Sequence, residues 1–168
     1  MKFMRFFVCV IGHRFIKRTD ELLNKLMTLF VDLIENKNVS VFLFGSRSQF
    51  NDLCYEIITD LRKRYQHIKR VYVRAEYDYD DKTMEYLLED YEETYYCEDI
   101  KNAKRNAYVI RNRHMIDRSD ICVFYYNGTD LILKEGTKKI KPHFVNSGTK
   151  LALDYAENKN KKIINIFN

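Results

Sequence analysis

Three short clusters in this chain have the chemistry to hold a phosphate group: Gly12-His13-Arg14, Arg111-Asn112-Arg113-His114 and Ser147-Gly148-Thr149. The last precedes an amphipathic segment, which places it at a helix start. The first turn of a helix presents unpaired backbone N–H groups and the positive end of a dipole, and both attract anions. At position 148 the missing side chain lets a phosphate touch the main chain. The hydroxyls of Ser147 and Thr149 can donate to it or cap the helix, so the turn alone also fits a plain N-cap. Arg14 and Arg111 can each grip phosphate oxygens in bidentate fashion, which lysine does less well. Arg47 and Arg113 are secondary candidates for the same task.

The other reactive side chains assemble into no catalytic or metal pattern. His13 stands beside a turn, where a histidine usually serves as a hydrogen-bonded structural residue, and His67, His114 and His143 lack ligand spacing. No Ser-His-Asp or Cys-His arrangement emerges, and no zinc or EF-hand pattern is present, so no metal site is expected. Cys9, Cys54, Cys97 and Cys122 form no CxxC pair, and two of them fall inside apolar runs. They read as reduced structural thiols.

Positioning these clusters requires a scaffold, and hydrophobic periodicity supplies it. Short apolar runs at 2–11, 39–44, 69–75, 121–126 and 162–167 predict buried strands. Between them, stripes at helical spacing predict helices over 19–36, from position 49 to about 65, over 103–118 and over 147–157. The stretch 79–95 predicts a helix with an acidic outer face, followed by a short edge strand at 94–97. Residues 127–146 read as a polar, lysine-rich loop. Apolar strands alternating with amphipathic helices need crossover connections, so the expected architecture is α/β: a Rossmann-like three-layer sandwich around a mostly parallel sheet.

Ligands of such sheets bind beyond the carboxyl ends of the strands. Here those junctions hold Gly12-His13-Arg14, Gly45-Ser46-Arg47, Glu76-Tyr77, Tyr125-Tyr126 and the Ser147 turn. Glu76 is placed to accept from ribose hydroxyls, and Tyr77, Tyr125 or Tyr126 to stack on a base. Tyr125 and Tyr126 should point to opposite faces, so only one of them should meet a ligand.

The 168 residues, 46% of them apolar, with five glycines and one proline, fit one domain spanning 1–168. A chain of this size buries roughly 70% of the surface exposed by its unfolded form. The apolar run 6–11 is too short for a signal-peptide core, and no run approaches the ~20 residues needed to cross a bilayer. A cytoplasmic protein without membrane association is expected. The net charge of +5 conceals an asymmetry, because residues 76–99 hold eleven carboxylates against one base, Lys82. That block reads as a solvated acidic helical face, and the basic remainder suits a phosphorylated ligand or nucleic acid.

The run Tyr108-Val-Ile-Arg-Asn-Arg-His-Met-Ile-Asp-Arg-Ser-Asp120, an apolar strand, and then Ser147-Gly-Thr-Lys-Leu-Ala-Leu-Asp-Tyr-Ala156 resembles the SLOG superfamily over nearly the whole chain. That group includes the LOG phosphoribohydrolases, the DprA/Smf DNA-processing proteins and the YpsA-like proteins. The YpsA-like branch is the most similar, through Cys9-Val-Ile-Gly-His-Arg14, Gly45-Ser46, Phe50-Asn-Asp-Leu53 and Tyr72-Val-Arg-Ala-Glu-Tyr77. The resemblance implies a nucleotide or nucleotide-derived ligand, such as ADP-ribose, NAD or a cyclic relative, with no other cofactor required. It places Ser147-Gly148-Thr149 where the family has its phosphate loop and Arg111 where LOG enzymes use an arginine. LOG enzymes carry a glutamate three residues beyond the Gly-Thr threonine, and here that position is Ala152, so LOG-type hydrolysis loses its principal group.

Three functions follow as expectations. The first is a binding protein that senses or sequesters a nucleotide. The second is an N-glycosidase using Glu76 or Asp117 in place of the missing glutamate. The third is a DprA-like single-strand DNA binder using Arg111, Arg113 and the lysines of 134–141, which the acidic block at 76–99 disfavours. Self-association into a dimer or larger assembly is implied by the SLOG resemblance alone.

Overall fold

A computed structural model of the protein describes residues 4–76, 80–128 and 147–167. Six strands, β1 (Phe6–Gly12), β2 (Val39–Phe44), β3 (Lys69–Val73), β4 (Glu93–Tyr95), β5 (Ile121–Tyr125) and β6 (Lys162–Asn165), form one sheet in the order β4-β3-β2-β1-β5-β6. Every pairing is parallel. The chain steps outward from β1 to β4, then returns to the other side of β1 for β5 and β6, which makes β1 the point where strand order reverses. This is the Rossmann-like α/β sandwich that the alternating pattern predicts.

Helices α1 (Asp20–Asn36) and α2 (Gln49–Leu61) cover one face, and α4 (Ala107–Arg118) and α5 (Gly148–Asn158) the other. Strand alternation divides the core between them. Val8, Val10, Phe42 and Phe44 pack with Leu26, Phe30 and Ile58 on the α1–α2 side. Cys9, Ile11, Val41 and Leu43 pack with Met115, Ile116, Leu153 and Ala156 on the α4–α5 side. Helices α1, α2 and α5 begin at residues suited to capping: Thr19, Ser48 and Ser147 accept from the N–H groups of Leu22, Asn51 and Lys150. Asn38 and Asn160, beyond the ends of α1 and α5, take φ of 54° and 53°, a left-handed turn that asparagine tolerates better than most residues. Cys9, Cys54 and Cys122 are buried and Cys97 half-buried, and none forms a disulfide. Burial pushes the Cys54 thiol well up, away from reactivity. No helix among the described residues is long and apolar enough to cross a membrane.

The acidic block is partly tied down. Helix α3 (Asp81–Asp90) buries no residue, but Glu92 receives the Arg70 side chain at 2.8 and 3.2 Å, the Arg70 backbone N–H at 2.6 Å and Arg62 at 2.8 Å. Glu93 pairs with Lys69 at 2.9 Å. These contacts fasten the edge strand to β3, so part of the block holds the sheet together.

Two of the shifted groups contribute well-separated steps to the acid response of the fold. Burial, followed by the Arg118 charge, holds the His114 imidazole below its ordinary value, with Nε2 3.0 Å from the Tyr95 hydroxyl. For Glu92, partial burial pushes the carboxyl up, but the Arg70 hydrogen bonds and the Arg70 and Arg62 charges outweigh it and hold it below the usual range. Both groups bind protons more readily in the unfolded chain, so each contributes stability at high pH that is lost on acidification. Thermal melts should weaken first as pH falls below about 6.5, from His114, and again below about 4.3, as pH falls through the lowered Glu92 value. His114→Gln should remove the upper step alone, and an undiminished upper step in that variant would contradict the assignment.

Candidate functional site

Beyond the carboxyl ends of β1, β2 and β3 lies a cleft of about 640 Å³. Five elements build it. From the β1–α1 turn come Gly12, His13 and Arg14, and from the β2–α2 turn Gly45, Ser46, Arg47 and Ser48. Glu76 follows β3, Tyr108, Arg111 and Asn112 come from α4, and Ser147, Gly148 and Thr149 open α5.

Gly12 and Gly45 are there because neighbouring elements press against them. A Cβ on Gly12 would stand 2.5 Å from Phe50 Cγ and 2.7 Å from Phe50 Cβ, so glycine lets the first turn of α2 sit on the end of β1. A Cβ on Gly45 would stand 2.6 Å from Arg111 Cδ and 2.7 Å from Met115 Sδ, so glycine there lets α4 approach β2. Gly148 differs: among the described residues, no atom beyond its own turn lies within 4 Å of where its Cβ would be, and the residue is exposed on the cleft wall. Packing among the described residues therefore does not require glycine at 148.

The walls are fixed by local hydrogen bonds. The Arg14 carbonyl accepts from Gln49 N at 2.9 Å and Gln49 Oε1 accepts from Ile16 N at 2.9 Å, which locks the β1–α1 turn to α2. Ser46 and Ser48 hydroxyls meet at 2.9 Å, and Asn51 Oδ1 accepts from Gly45 N at 3.4 Å. His13 is buried, and its Nε2 lies 3.0 Å from both the backbone N–H and the side-chain Oδ1 of Asn127. It serves as a strut between the β1 and β5 ends, in keeping with the structural role expected of it.

Arg111 is only 3% exposed. Its Nη1 donates to the Gly45 carbonyl, its Nε to Asn112 Oδ1 at 3.1 Å, and its guanidinium lies 5.4 Å from the Tyr108 ring centroid. The arginine that the sequence nominates for phosphate thus also clamps α4 to β2. Arg14 and Arg47 are exposed and line the cleft wall. At α5, Ser147 Oγ takes the Lys150 N–H, while the N–H groups of Gly148 and Thr149 belong to the turn that has no intrahelical acceptor. Glu76, exposed, accepts from the Tyr108 hydroxyl at 3.3 Å and is the one carboxylate among the described lining residues.

Eleven of the residues nominated from the sequence therefore meet in one cleft. Tyr125 does not. Its ring packs 5.4 Å from both Phe50 and Phe167, because the end of β5 turns it into the α1–α2 side of the core. Tyr126 turns to the opposite side and lies 5.3 Å from the His13 ring. Tyr77, His143 and the lysines of 134–141 lie outside the described residues. Arg113 stacks on Tyr155 at 5.1 Å, and Asp117 accepts from the Tyr155 hydroxyl at 2.8 and 2.9 Å, both away from the cleft. Ala152 is buried in the core cluster beneath α5. The sequence reading missed Ile11, Ser48, Tyr72 and Tyr108, and named Asn112 only as part of the 111–114 cluster. For Tyr108 and Asn112 a signal existed, since 108, 111 and 112 share one helical face. Among the described residues no three His, Cys, Asp or Glu side chains are grouped to hold a metal ion.

No protein-family model matches the chain, and no curated protein matches it.

Proposed function

We propose that the cleft binds a phosphorylated nucleotide or nucleotide-derived ligand, such as ADP-ribose, NAD or a cyclic relative, and that the protein senses or sequesters it. The observation that carries this reading is the convergence of Arg14, Arg47 and Arg111 with the open first turn of α5 on one concave surface. Guanidinium groups and unpaired helical N–H groups are the donors that phosphate oxygens favour. The volume lies within the roughly 300–1,000 Å³ usual for small-molecule sites. The SLOG resemblance supports the same ligand class and puts the phosphate at Ser147-Gly148-Thr149. Self-association rests on that resemblance alone. Calorimetry with AMP, NAD and ADP-ribose should give saturable binding of at least one of them, and no heat at millimolar concentration would overturn the reading.

One observation favours a second reading. Glu76 places a carboxylate in the cleft, where it could stabilise a ribosyl oxocarbenium or move a proton in N-glycosidic hydrolysis. Incubation with the same three compounds followed by chromatography separates the two: released base supports hydrolysis, and intact ligand supports binding alone.

A further inference from the structure

The cleft holds an aromatic surface that its polar residues do not account for. Of the large apolar side chains exposed among the described residues, Tyr108 alone lines the cleft, and it is 59% exposed. The other rings in the described lining, His13 and Tyr72, are buried. Tyr108 stands in the first turn of α4, one turn before Arg111 on the same helical face. The Arg111 guanidinium, itself buried, lies 5.4 Å from the ring centroid and backs one face, so the exposure belongs to the other. The Tyr108 hydroxyl donates to Glu76 Oε1 at 3.3 Å. Held from behind and at its tip, the ring gives up little rotamer freedom when a flat partner settles on it.

We infer that the outer face of Tyr108 is the platform on which the ligand's heterocyclic base stacks. This rests on the nucleotide-binding reading above. Its spacing fits, because Arg14 and Arg47 follow β1 and β2, while the Tyr108 hydroxyl reaches Glu76 beyond β3. From the end of β1 to the end of β3 is two strand spacings, about 10 Å, which a nucleoside monophosphate bridges with its phosphate at one end and its base at the other. The stacking task that the sequence offers to Tyr125 or Tyr126 thus passes to α4, since Tyr125 packs on Phe50 and Tyr126 against His13.

AMP and ribose 5-phosphate differ only by the base. Wild-type protein should bind AMP about tenfold or more tightly, the order expected of one stacked base. Tyr108→Leu should weaken AMP and ADP-ribose about tenfold and leave ribose 5-phosphate unmoved, and Tyr108→Phe, which keeps the ring, should recover what Tyr108→Leu loses. The chain has no tryptophan, so Tyr108→Trp installs a single indole at the site. Saturating AMP should quench its emission, and ribose 5-phosphate should not. Because Tyr108 is exposed, none of these substitutions should disturb folding, and the melting temperature of each variant checks that. Equal binding of AMP and ribose 5-phosphate by wild type, unchanged AMP affinity in Tyr108→Leu, an equal loss of both compounds there, or unquenched emission from a Tyr108→Trp protein that binds AMP would overturn the inference while leaving phosphate recognition by the cleft intact. If AMP, ADP-ribose and ribose 5-phosphate all fail to bind wild type at millimolar concentration, the underlying reading fails and takes this one with it.

Discussion

Gly148→Asp should lower nucleotide affinity at least a hundredfold while shifting the melting temperature by no more than about 2 °C. The two halves of this expectation come from different facts. Among the described residues no atom beyond its own turn lies within 4 Å of a Cβ at 148, the residue sits in the first turn of α5, and an acidic side chain there favours the helix dipole. The described packing therefore has little to lose. The same carboxylate would occupy the open wall of the cleft and repel the phosphate that the turn is proposed to receive. A hundredfold loss corresponds to about 2.7 kcal/mol, within the range for replacing a charge-assisted contact by a like-charge one. Calorimetry and a thermal melt on the same preparation check both halves, and wild-type affinity in a folded variant would remove Gly148 from the site.

Gly12→Ala should do the reverse, costing about 3 kcal/mol of stability through overpacking. The added methyl would clash with Phe50 Cδ1, Cγ and Cβ, and Phe50 is fully buried at the start of α2. Because Gln49 and the Arg14 carbonyl bind α2 to the same turn, relief of the clash would have to move both elements. Urea unfolding should show a lower midpoint with an unchanged slope, and a midpoint equal to wild type would mean the two elements are less tightly joined than they stand here. The contrast between 12 and 148 separates a glycine that the fold requires from one that the proposed ligand would require.

The strands and the capped helices were legible because several local signals agreed. Val39–Phe44 is an apolar run bounded by a helix stop and a glycine, and it is β2 from end to end. Ser147 was read as a helix cap and sits at that start, while α1 and α2 were read from their apolar stripes and prove to be capped by Thr19 and Ser48. The segment after β3 was harder, since α3 buries nothing and leaves no clear stripe. The expected helix from 103 begins instead at Ala107, preceded by 3₁₀ turns over Glu98–Asn102 and Lys104–Asn106, with Lys104 at φ 48°. Turns of that kind have no periodic signature. Strand-end logic located the cleft because a parallel sheet brings every β-to-α turn to one edge, whatever the side chains. It could not foresee side chains such as Tyr125, whose direction depends on how the end of β5 twists into the core, or the second task of Arg111 as a clamp on Gly45.

Backbone amide shifts followed by NMR during an ADP-ribose titration read the central claim most directly, because they report where a ligand lands as well as whether it binds. The account predicts saturable shifts at Gly148, Thr149, Gly45, Ser46 and Arg14, with α3 and the β6 edge unmoved. Saturable shifts confined to other surfaces, or no shifts up to millimolar ligand with NAD and AMP equally silent, would contradict it.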